Sequence, residues 1–71
     1  MKEIKVNLSN YQEIDRRTTL LNVGKINIVA KIKNRGKFEL YEISTMQDLQ
    51  EVISKEQKRL YCDELTFFKQ N

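Results

Sequence analysis

The chain contains no histidine, no proline and no tryptophan, only two glycines (Gly24 and Gly36) and one cysteine, Cys62. Each scarcity closes off a class of chemistry. Without histidine there is no Ser-His-Asp or Cys-His arrangement, and a lone cysteine provides neither an internal disulfide nor most zinc-ligand sets. Two glycines cannot build a phosphate cradle, and no P-loop, Gly-x-Gly-x-x-Gly or Asp-x-Asp calcium loop occurs. Apolar runs end after a few residues, far short of the roughly 20 that span a bilayer. Met1–Val6 has no apolar stretch of signal-peptide type, so the expected location is the cytoplasm.

What is present is ordinary globular material. Apolar residues make up 39% and charged residues 32% of 71, enough for one domain over residues 1–71 and one core. Phe, Tyr, Met, Ile, Asn and Lys, whose codons are AT-rich, supply 30 residues, whereas Gly, Ala, Arg and Pro supply 7. That skew points to an AT-rich genome, such as a low-GC Gram-positive bacterium or its phage.

Charge is segregated along the chain. Residues 16–37 carry Arg16, Arg17, Lys25, Lys31, Lys33, Arg35 and Lys37 and no acid, while residues 38–56 carry five acids against Lys55. The modest net charge of +3 hides this block. A cationic cluster of this density attracts phosphates or an acidic protein face; the plainer alternative is a solvated sheet face neutralised by the acidic segment after it.

Periodicity gives strands first. Ile4, Val6 and Leu8 alternate with Lys5 and Asn7, and Ile26, Ile28, Ala30 and Ile32 alternate with Lys25, Asn27, Val29, Lys31 and Lys33. After Asn34-Arg35-Gly36-Lys37, Phe38 and Leu40 alternate with Glu39 and Tyr41. A three-residue loop sets Ile32 against Phe38, Ala30 against Leu40 and Lys31 against Glu39, and is preferred over a two-residue loop that sets Ile32 against Glu39. Asn22-Val23-Gly24-Lys25 echoes the turn sequence, which makes residues 16–21 a strand hairpinned to 25–30, with a helical turn over 10–14. The rival reading is a helix over 10–21, capped by Ser9 and Gln12.

The second half predicts a helix. Thr45 is an N-cap with Asp48 three residues on, and Met46, Leu49, Val52, Ile53 and Leu60 form one stripe over 45–61. Leu65 and Phe67 begin a short closing strand. The expected fold is α+β: a small antiparallel sheet of four to five strands with one C-terminal amphipathic helix on one face. With a helix over 10–21 the order becomes a ferredoxin-like β-α-β-β-α-β. The expected core is Ile4, Val6, Leu20, Ile26, Ile28, Ala30, Ile32, Phe38 and Leu40 from the sheet side, the helix stripe, Leu65 and Phe67.

Catalytic equipment is missing from this inventory. Cys62 lacks an imidazole, lies beside Asp63 and reads as a buried structural thiol. Glu39 and Glu42 fall on opposite strand faces and share no site. We therefore expect no enzyme, no cofactor and no metal, but a monomeric or homodimeric binding protein. Its candidate contact residues are Arg16, Arg17, Lys25, Lys31, Lys33, Arg35, Lys37 and Tyr41. The expected partner is an acidic protein surface. The profile is that of a small phage or mobile-element accessory protein inhibiting a host machine in the bacterial cytoplasm, as anti-CRISPR proteins do. The alternative is a small nucleic-acid-binding domain using the 16–37 sheet face.

Overall fold

In the computed structural model, which describes all 71 residues, five strands and two helices follow the order β1 (Lys2–Ile4), β2 (Tyr11–Ile14), α1 (Arg16–Asn22), β3 (Ile28–Asn34), β4 (Lys37–Ile43), α2 (Met46–Lys58) and β5 (Glu64–Gln70). One sheet results, ordered β1-β4-β3-β5-β2 with all neighbours antiparallel. Ile28, Ala30 and Ile32 on β3, Ile43 on β4 and Phe67 on β5 pack under Leu49 and Val52 of α2, with Cys62 at the edge of the cluster. This is the expected α+β arrangement with the C-terminal helix on the sheet. From β2 onward the chain order is β-α-β-β-α-β, and β1 adds an edge strand. No helix is long and apolar enough to cross a membrane.

The segment before β3 departs from both expectations. Residues 16–22 are a helix rather than a strand, and 11–14 are a strand rather than a helical turn. Asp15 is the cause: its carboxylate accepts the Thr18 amide at 2.7 Å, and its carbonyl accepts both the amide and the hydroxyl of Thr19. Thr19 is thereby buried with its polar group satisfied, and Leu20 is turned to solvent. Upstream, Asn7 accepts the Ser9 amide and forms a single 3-10 turn at Leu8–Asn10, so the first strand stops at Ile4.

The two Asn-x-Gly-Lys sequences make different turns. At Asn22–Lys25, Val23 has φ −60° and ψ 131° and Gly24 has φ 82°, with the Lys25 amide bonded to the Asn22 carbonyl. That is a type II turn leaving a helix, not a hairpin. At Asn34–Lys37 both Arg35 (φ 54°) and Gly36 (φ 79°) are left-handed, which is the two-residue type I′ turn whose twist matches the strands.

The two-residue loop shifts the register by one from that expected. Ile32 faces Glu39, Ala30 faces Tyr41 and Ile28 faces Ile43. Every β4 side chain therefore lies on the face opposite to its expected one. Tyr41 and Ile43 join the helix side, while Phe38 and Leu40 go to the open face beside Val29 and Lys31. Alternation could not separate these cases, because the open face also carries apolar residues: Ile4, Val29 and Phe68.

The helix is shorter than 45–61. Thr45 and Asp48 form a reciprocal capping box, but the helix closes at Lys58. Met46 and Leu60 of the expected stripe are exposed, as are Val6, Leu20, Ile26 and Phe38 of the expected core. β5 reaches its place between β3 and β2 because Phe67 sits in the core and Phe68 on the opposite face.

Two substitutions probe this account. Leu49→Ala should cost about 2–5 kcal/mol, leaving largely unfolded a domain with roughly 3–5 kcal/mol in hand. Gly36→Val should cost about 1 kcal/mol or more through backbone strain. A Cβ there would meet nothing within 4 Å, so no clash contributes. Urea denaturation measures both.

Candidate functional site

The eight contact residues expected from sequence do not form one patch. Lys25 precedes β3 and Arg35 follows it, so the seven residues of that strand hold them roughly 20 Å apart. Lys31 and Lys33 project from the open face, where the Lys31 Nζ lies 4.2 Å and the Lys33 Nζ 6.0 Å from the Phe38 ring centroid. Lys37 and Tyr41 belong to the other face. The Tyr41 hydroxyl donates to Glu39, and that bond together with partial burial pushes its pKa up to about 12. Tyr41 is thus half-buried on the helix side and tied into the fold, away from the open face that carries Lys31 and Lys33. Arg16 is engaged by Glu56, and Arg17 is exposed on the first turn of α1.

The open face is balanced in charge. Lys2, Lys31 and Lys33 share it with Glu13, Glu42 and Glu64. It therefore lacks the excess of positive charge that a phosphate backbone requires.

A denser feature lies at one end of the sheet, where two loops are tied together. The Asp63 amide donates to the Lys33 carbonyl at 2.7 Å, and the Asp63 carboxylate accepts the Arg35 amide at 2.9 Å. These bonds fasten the α2–β5 loop (59–63) to the β3–β4 turn. The end of α2 contributes a Schellman closure: the Leu60 amide reaches the Lys55 carbonyl and the Arg59 amide the Glu56 carbonyl. Glycine usually takes the left-handed position of this motif, but here it is Arg59, with φ 53°. Tyr61 is left-handed as well, at φ 58°.

All three non-glycine residues with positive φ, Arg35, Arg59 and Tyr61, therefore sit in these two joined loops. Each costs on the order of 1 kcal/mol relative to glycine. The loops also display apolar side chains. Tyr61 is 73% exposed and Leu60 52%, with Phe38 at 57% on the adjoining strand. The two joined loops and their flanks carry Arg35 in the turn, Lys33 and Lys37 on either side of it on opposite sheet faces, and Arg59 in the α2–β5 loop, none of which forms an ion pair; the fold's two ion pairs join the Met1 ammonium to Asp48 and Arg16 to Glu56. Neutralisation of the basic block by the acidic helix is thus confined to Arg16.

Arg59, Leu60 and Tyr61 escape notice in the sequence because Leu60 continues the apolar stripe of a helix expected over 45–61, which takes in all three. The available signal was the missing glycine: with none between Gly36 and the chain end, a non-glycine residue had to close the helix. Cys62, just beyond, is buried, and burial pushes its thiol pKa up, with Glu56 and Asp63 adding to the effect. No group of three or more His, Cys, Asp or Glu side chains converges into a metal-ligand set.

Asp63→Ala should remove the tie to Arg35, costing about 1 kcal/mol. Hydrogen exchange at the Arg35 amide should quicken while the central amides of β3 keep their relative protection. Comparison of the chain with known proteins found no matching family model, no matching curated protein and no matching solved structure.

Proposed function

We propose that the protein is a non-enzymatic binding module that covers an acidic surface on a partner protein with the end formed by the β3–β4 turn and the α2–β5 loop. The observation that carries this reading is the set of cations without ion pairs on these two joined loops and their flanks, Lys33, Arg35, Lys37 and Arg59, together with exposed Leu60 and Tyr61. Cations with no internal carboxylate partner are available for carboxylates outside, and arginine's planar fork suits bidentate pairing. The neighbouring acids Asp63 and Glu64 would repel a uniform phosphate backbone, which favours a protein surface whose carboxylates are placed to meet the cations alone.

Such a module acts by occupancy. The cellular role that fits it is stoichiometric inhibition of a host macromolecular machine in the bacterial cytoplasm, the work of small phage and mobile-element accessory proteins of the anti-CRISPR kind. The sheet-face nucleic-acid reading is weaker because that face carries as many acids as bases.

The test replaces Lys33, Arg35 and Lys37 together by glutamate. Exposed charges contribute little to folding, so the variant should keep its cooperative melt. Used as bait in host extract, wild type and Lys25→Glu should retain the same protein after nuclease treatment, and the triple variant should lose it. Retention by the triple variant, or release by nuclease, would overturn the reading.

A further inference from the structure

We propose that Tyr61 is the anchor of this interface, its ring docking on an apolar patch of the partner protein whose rim of carboxylates meets Arg59, Arg35 and Lys37. The inference rests on the protein-binding reading above and adds what the partner surface must contain besides charge.

The argument begins with a conflict inside the domain. Tyrosine carries a large apolar ring that folding normally covers, and left-handed backbone disfavours any residue with a Cβ. Tyr61 combines φ 58° with 73% exposure, so neither its backbone conformation nor its ring benefits the folded monomer. Its hydroxyl makes no hydrogen bond and its ring takes part in no cation contact within the fold, whereas Tyr41 makes both. The loop is nevertheless held firmly. The Schellman closure fixes residues 59 and 60, and Asp63, two residues beyond Tyr61, is bonded to both Lys33 and Arg35.

A rigid loop that presents an aromatic ring loses little entropy on binding, which is the property of interface anchors. The surroundings specify the partner. Leu60, next in sequence, adds exposed apolar surface, and the excess of cations on the same two joined loops disfavours a basic rim. Asp63 accepts the Arg35 amide but keeps its charge, so with Glu64 it offsets two of the four cations and leaves the end with a positive excess. The complement is therefore apolar at its centre and anionic at its edge, an arrangement found on folded proteins and on acidic peptides containing aromatic or aliphatic residues.

Stability and binding should move in opposite directions when the ring is removed. Tyr61→Gly relieves the left-handed strain, so its Tm should equal or exceed that of wild type, and Tyr61→Ala should melt below Tyr61→Gly. A random peptide library displayed on phage serves as the probe, selected against the full chain. Enriched peptides should combine apolar residues with Asp or Glu. Synthetic versions should bind Tyr61→Gly about tenfold or more weakly than wild type, the effect of losing an interface anchor.

A fall in Tm for Tyr61→Gly would show that the ring is packed for folding and overturn the proposal. Acidic peptides that bind Tyr61→Gly as well as wild type would overturn the anchor while leaving the charge reading standing. Peptides without acidic enrichment, unaffected by glutamate at Lys33, Arg35 and Lys37, would overturn both. A single-stranded DNA oligomer that binds wild type more tightly than any selected peptide, and needs Tyr61, would replace the protein partner with base stacking.

Discussion

Burial of one face of β3 is the constraint on which the rest of the structure depends. Ile28, Ala30 and Ile32 can leave water only if β4 and β5 flank them and α2 covers them. To reach the second flank, β5 must pass β3 and pair antiparallel between it and β2. β2 and β3 then run parallel with β5 between them, and β4 and β5 run parallel with β3 between them. Each split pair needs a crossover, which α1 and α2 supply. α1 is accordingly short: seven residues, begun by Asp15 and ended by the type II turn at Val23-Gly24.

The same geometry decides where the basic block goes. The alternating residues of β3 send Lys31 and Lys33 to the face opposite α2, while its two ends carry Lys25 and Arg35 in opposite directions. A block that is continuous in sequence is dispersed, and Lys33, Arg35 and Lys37 stay together only at the end where Asp63 ties the α2–β5 loop, with its Arg59, to the β3–β4 turn. Strain gathers at that end too. For a domain with only roughly 3–5 kcal/mol of stability, three left-handed non-glycine residues are a large load, and the bonds from Asp63 and the Schellman closure are what hold it.

Much of the core was legible in the sequence, because β3 and α2 each have a buried face with a clean period. Ile28, Ala30, Ile32, Leu49, Val52 and Phe67 are buried as expected, and Cys62 is a buried thiol. The parts that were not legible depended on competition between near-equal local choices. Thr18-Thr19 has β propensity, yet one carboxylate at Asp15 caps a helix through them. Phe38 and Leu40 match the apolar positions of β3 only with a three-residue loop, but Arg35 accepts the left-handed conformation, the loop shortens and the β4 faces exchange. The candidate site was half legible: Lys33, Arg35 and Lys37 were identified, whereas Arg59 and Tyr61 were hidden in what read as the last turn of a helix.

The central claim is that one end of the sheet, and neither its open face nor α1, meets the partner. Site-specific photo-crosslinking in living cells that express the protein tests it most directly, with p-benzoylphenylalanine placed in turn at Tyr61, at Phe68 on the open face and at Leu20 on α1. The account predicts one discrete protein adduct from position 61 and none from positions 20 and 68. An adduct from position 68 or 20 with none from position 61 would contradict it.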